Sequence, residues 1–589
     1  MVLIKGLVIL FLCTTSLVHS QKDDWWKSAT IYQIAPLSFK DTTGDGKGDI
    51  QGIISKLDYI ADTGIEPFHA KMRLGSIDVI LVSPFFQTQM IDFAYDISNY
   101  IEVDSIFGTM QDVEELFSKA KAKGLRVILD FVPNHTSNKH EWFIKSEVGT
   151  DGYKDFYIWH DGAKQINEGR NLPPNSWQSE YGGSSWTWSP MREAYYYHKF
   201  AKEQPDLNLG EELVVQKLNE VLKFWLDKGA DGFRLDASSQ LFEDPSFLDK
   251  PDKMNDLPQT YELIERWRKF LDDYSQTESK ILIPQIWNAP IDDLMRYYVS
   301  EDGTQRAQVP MNFMLINELN KNSTASDYKR VIEKYLNALP TGAIANWFLG
   351  SHDHNRVASR MGRDRIDGLM ILLQTLPGIS FTYYGDEIGM EDNMDISWED
   401  TVDVQACNAD KDSYQPLSRD VARTPFQWDT TENSGFTSGK SWLPVHSGYV
   451  ENNLESQMSA NKSHYKLFKE LTALRKNATL ALGDIEIKVL GNNTLAYSRT
   501  YEKVSYLIVI NLNNQTEVVN ASGFKAKLNE ESKIRIASTN SKHEIDEIVN
   551  LSNLQLTPYD AIIIEYYSSA TKVTLSLLAV MMIIIKIFL

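Results

Sequence analysis

Residues 110–135 read MQDVEELFSKAKAKGLRVILDFVPNH, an amphipathic segment at 110–123 that passes through one glycine into a β-rich run at 125–132 ending in charge and amide. Seven further β-rich runs, at 31–36, 77–83, 232–237, 281–287, 309–314, 346–353 and 379–385, are separated by longer helical stretches such as 211–228. This alternation is what a parallel sheet requires, because a parallel neighbour is reached only through a crossover. Eight runs predict an α/β chain folded as a closed (β/α)8 TIM barrel; an open, doubly wound sheet is the alternative that counting runs leaves standing. In a barrel the chemistry gathers just beyond the C-terminal ends of the strands.

Outward from that unit, the connection after the third run, about 133–209, is long and aromatic-rich and is expected to be an inserted subdomain. After about residue 480 the period changes to two, which predicts a C-terminal antiparallel β domain over 481–567 behind a barrel body spanning 21–480. The dozen residues at 65–76, before the second run, read as an extra loop on the pole opposite the strand ends, with His69 as a solvated loop residue.

The chain has 589 residues and a formal net charge of −21, which argues against nucleic acid as a partner. Cys13 and Cys407 are its two cysteines, too few for a disulfide scaffold or a cysteine-ligated metal site. Residues 1–20 carry a basic residue, an apolar run and small residues before Gln21, the pattern of a signal peptide. Small residues at 568–570, a short polar spacer and an apolar tail to residue 589 read as a glycosylphosphatidylinositol-anchor signal, with a single C-terminal membrane helix as the alternative. The expected setting is therefore the secretory pathway and the outer face of the plasma membrane. Eight Asn-x-Ser/Thr acceptors, Asn134, Asn322, Asn461, Asn477, Asn492, Asn514, Asn520 and Asn550, are compatible with it.

Charge collects where the runs end: Asp130 to His135, Arg234-Leu-Asp236, and Ser351-His352-Asp353-His354-Asn355-Arg356. Arg234 lies two residues before Asp236 on one strand and shares its face, so it is expected to hold Asp236 ionised at neutral pH as a nucleophile; a purely structural pair is the alternative. Near the N-terminus Asp41, Thr43, Asp45, Lys47 and Asp49 alternate with glycines and threonine, a spacing that suits a structural Ca²⁺ ion, although Thr43 stands where a stronger ligand is usual; a glycine-rich turn is the alternative.

Ile31-Tyr-Gln-Ile, Asp92-Phe-Ala-Tyr95-Asp96, Asp130-Phe-Val-Pro-Asn134-His135, Gln204-Pro-Asp-Leu-Asn208, Asp231-Gly-Phe-Arg234-Leu-Asp236-Ala237, His352-Asp353 and Arg419-Asp-Val-Ala-Arg423-Thr-Pro-Phe-Gln-Trp428 occur in that order. Together they resemble the α-amylase family of glycoside hydrolases, and within it the insect-type maltases, from about residue 25 to 567. The resemblance implies roles: Asp236 as nucleophile, Arg234 as its partner and Asp353 as the carboxylate that stabilises the transition state. It also implies Asp92, Tyr95, His135, His352 and Arg356 as contacts to a glucose ring, a bound calcium in the Asp41 loop, and a preference for α-1,4 linkages. Asn134 would then sit at the site and escape glycosylation.

The family's proton donor is a glutamate at the end of the fifth strand, and aligning Lys280-Ile-Leu-Ile-Pro-Gln285-Ile-Trp287 brings Gln285 to that position. An amide has no titrating proton to give or recover. Pro284 and Ser351 are further departures from the family pattern. The expectation is an extracellular, membrane-anchored maltase homologue that binds α-glucosides such as maltose or sucrose and hydrolyses them poorly. An active retaining α-glucosidase and a non-catalytic surface receptor or scaffold, its protein partner unknown, are the alternatives.

Overall fold

The computed structural model describes residues 24–61, 77–167, 170–249, 254–524 and 532–567. The leader, the loop at 65–76 and the C-terminal anchor read from the sequence lie outside them. No helix among the described residues is long and apolar enough to cross a membrane.

Seven parallel strands form one curled sheet: β1 (Thr30–Ile34), β2 (Val79–Val82), β3 (Arg126–Phe131), β4 (Gly232–Leu235), β5 (Ile281–Pro284), β6 (Asn346–Phe348) and β7 (Ile379–Tyr383), in the order β5-β4-β3-β2-β1-β7-β6. The run expected at 309–314 is not a ladder strand. Val309 N–H donates to Leu282 O at 3.2 Å and Met311 N–H to Pro284 O at 3.0 Å, so this segment lies along β5. Towards β6 the contacts pass through side chains: Asn346 Oδ1 accepts from Asn312 N–H at 3.0 Å, and Asn346 Nδ2 donates to Pro310 O at 2.7 Å. Pro310 has no N–H to offer a ladder, and the asparagine pair bridges the gap between β5 and β6 in its place.

Period-two alternation on these strands decides what faces where. Ile31, Val79, Leu81, Ile128, Ile281, Ile283, Val309, Met311, Phe348, Ile379 and Phe381 pack together inside the curl. Tyr32, Ile34, Ile80, Val82, Leu129, Phe233, Leu235, Leu282 and Trp347 belong to the main core shared with the helices. Two residues further along the inward rows stand Gln33, Asp130, Asp236 (two beyond Arg234) and Gln285. An apolar plug therefore fills the barrel's lower layers, and the same rows deliver polar groups to its C-terminal rim.

Around the sheet run α1 (Met110–Ala122), α2 (Glu212–Lys228), α3 (Pro258–Tyr274), α4 (Ala325–Ala338) and α5 (Ile366–Thr375). In α1 a Thr109–Asp112 capping box fixes the start, and Val113, Leu116, Phe117 and Ala120 form the buried face. The insertion after β3 holds a helix (Glu141–Glu147) and an antiparallel sheet of Trp159–His160, Ala194–Tyr197 and Trp186–Ser189. Trp177, Trp186, Tyr195 and Tyr197 form its own aromatic cluster.

After α6 (His464–Arg475) comes a six-stranded antiparallel sheet of β8 (Asp484–Leu490), β9 (Thr494–Tyr501), β10 (Val504–Asn511), β11 (Ser532–Ala537), β12 (Ile548–Val549) and β13 (Ala561–Tyr567), ordered β8-β9-β10-β13-β11-β12. It docks on the barrel through Asp367 of α5. That carboxylate meets His464 Nδ1 at 2.5 Å and accepts from Thr539 N–H at 2.6 Å. Seven of the eight glycosylation acceptors are exposed; Asn134 is 1% exposed and donates its Nδ2 to Asp206 at 3.0 Å and to Gln240 O at 2.6 Å.

Candidate active site

A cleft of about 440 Å³ opens at the C-terminal rim. The segments after β4, β5 and β6 bring Asp236, Gln240, Gln285, Trp287, Asn288, His352 and Asp353 to it. The segment after β2 brings Asp92 and Tyr95, the insertion brings Tyr181 and Phe200, and the chain beyond β7 brings Gln405 and Arg419.

Asp353 is the most heavily supported group. Its Oδ1 receives Arg423 Nη2 at 3.2 Å and Arg419 Nη1 at 3.4 Å; its Oδ2 receives Gln285 Nε2 at 3.4 Å and faces His352 Nε2 at 3.3 Å. Burial alone would raise its pKa, but His352, Arg419, Arg423 and Arg234 outweigh it and hold the carboxyl well below the usual range. His352 itself is lowered to about 3 by burial and is neutral at physiological pH. With Gln33 Nε2 3.2 Å from its Nδ1, the neutral tautomer consistent with these contacts donates from Nε2 to Asp353. Tyr95 stacks on the other side of the His352 ring at 5.3 Å.

Asp236 behaves differently from the sequence expectation. In the sheet register Arg234 sits directly beside Asp130 on β3. Its Nη1 reaches both Asp130 oxygens at 2.6 and 2.5 Å, Tyr95 Oη at 3.2 Å, and Asp236 Oδ1 at 3.2 Å. Arg234 is thus committed first to Asp130. Burial, opposed by Arg234 but reinforced by Asp130, Asp353 and Asp92, pushes the Asp236 pKa up to about 8. The support expected from Arg234 is thus shared with Asp130 and opposed by burial and the neighbouring carboxylates.

Gln285, 8% exposed, stands beside both acids. Its Oε1 accepts from Ala237 N–H at 3.4 Å, next to Asp236, and its Nε2 reaches Asp353. Its backbone is tied independently: its N–H donates to Leu235 O at 2.9 Å and its carbonyl accepts from Ser238 N–H at 3.2 Å. Ala237 turns the chain there in the left-handed region, φ 50°.

Along another wall Asp92 accepts from Tyr181 Oη at 2.8 Å and from Arg419 Nη2 at 2.9 Å. His135 is buried behind this wall, its Nδ1 2.9 Å from Asn134 Oδ1 and its Nε2 3.1 Å from Gln204 Nε2; burial lowers its pKa to about 4. Arg356, expected from the sequence to contact sugar, does not reach the cleft. It is fully buried against the rings of Tyr383 and Tyr384, donating to Tyr384 O at 2.9 Å. Besides Arg234, the arginines that reach the site are Arg419 and Arg423, which stand within a quoted motif but were given no role from the sequence. Tyr181, Trp287 and Gln405 carried no signal beyond their residue type.

The Asp41 loop lies apart from the cleft. Asp41 accepts from Thr43, Gly44 and Gly46 N–H at 2.8 Å each and from Thr437 Oγ1; Asp49 accepts from Thr42 N–H at 2.7 Å and Gly52 N–H at 2.6 Å; Asp45 accepts from Lys47 N–H at 2.9 Å. Among the described residues no group of three or more His, Cys, Asp or Glu is arranged to hold a metal ion. These bonds draw the three carboxylates in on their own turn.

The cleft therefore presents one firmly ionised carboxylate, one carboxyl of raised pKa, a carboxamide beside both, and a wall of aspartate, arginine and phenol suited to sugar hydroxyls. Either carboxylate can attack or stabilise an electron-poor carbon; the amide can only donate and accept hydrogen bonds.

The α-amylase catalytic-domain model matches residues 33–483. The chain is 42% identical over 563 residues to Maltase 1 of Drosophila virilis, across 92% of this chain and 87% of that one. It is 42% identical over 514 residues to a salivary alpha-glucosidase of Anopheles gambiae, across 83% and 84%. Among solved structures, a mutant of trehalulose synthase MutB with glutamine in place of one glutamate, in complex with the substrate sucrose, aligns with a TM-score of 0.79 at 29% identity, across 92% of this chain and all of that one.

Proposed function

This chain belongs to the α-amylase family of glycoside hydrolases, with insect maltases and α-glucosidases among its relatives, and from that membership we propose that it is an α-glucoside-binding protein whose hydrolysis is suppressed at one position. In this reading Asp236 is the nucleophile, Asp353 stabilises the charge that develops on the sugar, and Asp92, Tyr95, His135 and His352 shape the glucose pocket with Arg419. Gln285 occupies the place of the acid/base.

The observation that carries the reading is the carboxamide of Gln285, set between Ala237 N–H and Asp353 at the end of β5. A retaining glycosidase needs a second carboxyl to protonate the departing oxygen and later to deprotonate water. Gln285 can hydrogen-bond that oxygen and can do neither transfer. In MutB, a glutamate-to-glutamine exchange is compatible with bound sucrose, which supports sugar binding as the function that survives.

The setting we propose is extracellular and tethered by a C-terminal lipid. The 568–589 pattern and the salivary relatives support this. Release of the protein from cells by a phosphatidylinositol-specific phospholipase tests the tether, and retention in the membrane fraction would overturn it.

Maltose turnover by wild type and Gln285→Glu tests the central claim. The variant is expected to exceed wild type by at least about 10²-fold, the lower end of what general acid-base catalysis contributes. Equal and brisk turnover by both would establish an active α-glucosidase.

A further inference from the structure

We propose that this cleft turns over α-glucosides of acidic leaving groups, aryl α-glucosides foremost, with Trp287 as the platform for the aglycone; the inference rests on the reading of Gln285 above and names the substrate class of that site.

Trp287 follows Gln285 by two residues and lines the same cleft. It is 42% exposed, yet held rigidly: its ring stacks on His354 at 4.6 Å and 24°, and Phe313 meets it edge-on at 5.4 Å. His354 is fixed in turn by Ser351 Oγ, 2.8 Å from its Nδ1. Burial lowers the His354 pKa to about 4, so the lower ring of the stack is neutral. An aromatic face is thus presented in the same cleft as Gln285, whose lining also holds Asp92, Arg419 and Tyr181. The polar wall suits a glucosyl ring, and the indole suits an aromatic aglycone.

The chemistry of the first step selects the same class. Asp236 attacks the anomeric carbon, the bond to the aglycone oxygen breaks, and that oxygen leaves with the electron pair. A sugar hydroxyl would leave as a strongly basic alkoxide unless protonated. A phenol, ionising near pH 10 like tyrosine, leaves as phenolate and takes its proton from bulk water. Glucose remains as an ester of Asp236. In the second step water attacks the same carbon and releases the carboxylate, losing its proton to solvent because Gln285 cannot accept it. This step is slow, so the ester accumulates. A small anion such as azide needs no deprotonation and can attack instead, forming the glucosyl azide and freeing Asp236.

The test uses the full secreted chain with 4-nitrophenyl α-glucoside and with maltose, followed by stopped-flow absorbance and intact mass. Wild type is expected to release about one equivalent of phenol in a burst, as an acyl-type intermediate does, and to gain the mass of one anhydroglucose unit on Asp236. Azide is expected to accelerate the slow phase. Trp287→Ala should weaken binding of the aryl glucoside about 3- to 10-fold, the range of one aromatic contact, and maltose by a smaller factor, because a pyranose ring offers no aromatic face. Absence of a burst above an Asp236→Asn control, with maltose still bound, would overturn the inference and leave the sugar site intact. Equal losses for both ligands in Trp287→Ala would overturn the platform. Brisk maltose hydrolysis by wild type would instead overturn the reading of Gln285.

Discussion

Arg234 stands 2.5 Å from Asp130 and 3.2 Å from Asp236. The first contact is a consequence of sheet register, since the two residues are paired across β3 and β4. The second is what remains. A guanidinium so divided does not offset the burial of Asp236 among Asp130, Asp353 and Asp92, and the carboxyl's pKa is raised above the usual carboxylate range.

Asp236 reacts as its carboxylate, so its labelling by an aryl α-glucoside should rise with pH through about 8 and level off above it. A plateau already reached at about pH 6 would show that Arg234 does keep Asp236 charged. Stability carries the opposite sign. A folded-state pKa raised above the unfolded value of about 3.9 gives stabilisation that is complete below that value and lost as pH rises through about 8. Asp236→Asn cannot ionise, so its melting temperature should gain on wild type between about pH 5 and pH 9.

In Gln285→Glu the introduced carboxyl takes over the amide's place against Asp353, 3.4 Å away. Burial and the neighbouring negative charge will raise its pKa, the condition a proton donor requires near neutral pH. Maltose turnover by this variant is expected to follow a bell in pH, rising with Asp236 ionisation and falling as the introduced carboxyl deprotonates. The wild-type burst on aryl substrates should show the rising limb alone. A falling limb in wild type would mean that another acid serves the site.

Asp367 joins the barrel to the C-terminal sheet through His464 and Thr539. Burial opposes its charge, but these hydrogen bonds hold its pKa below the usual value. Asp367→Ala is expected to destabilise by about 2–4 kcal/mol, the scale of breaking a buried charged hydrogen-bond network. A depressed folded-state pKa gives stability present above the unfolded value of about 3.9 and lost as pH falls through the folded one, so the gap in denaturant midpoint between wild type and variant should narrow below about pH 4. A gap that persists unchanged at about pH 3 would assign the effect to packing.

Chelation offers a check on the Asp41 loop. Its carboxylates are engaged by backbone N–H groups of their own turn. The structural calcium proposed from the loop's spacing predicts that excess EGTA lowers the melting temperature by about 2 °C or more; a change below about 1 °C would remove the ion from the loop.

The barrel was legible because period-two rows and helical spacers leave marks in the residue order, and the inward rows even foretell which end carries polar groups. The run at 309–314 misled for a local reason: Pro310 removes the N–H that a ladder needs, and asparagine side chains substitute for it. At the site, residues on strand ends and in the Asp92–Tyr95 motif were legible, whereas Tyr181 and Phe200 of the insertion and Gln405 and Arg419 beyond β7 were not given a role. Arg356 follows His352-Asp353 so closely that it reads as a site residue, but the chain turns after Asp353 and aims it under Tyr383 and Tyr384. Arg419 arrives from 66 residues beyond Asp353, and only the folded chain reveals that its guanidinium spans Asp92 and Asp353. The division of Arg234 between two carboxylates is likewise a property of neighbouring strands, invisible along either one.

The main-chain bonds of Gln285, to Leu235 and to Ser238, would be made identically by glutamate. Amide and acid have nearly the same volume, so the backbone accommodates either side chain, and glutamine and glutamate codons differ by one base. A lineage can therefore cross between binder and hydrolase in either direction by a single base change, without rebuilding its scaffold.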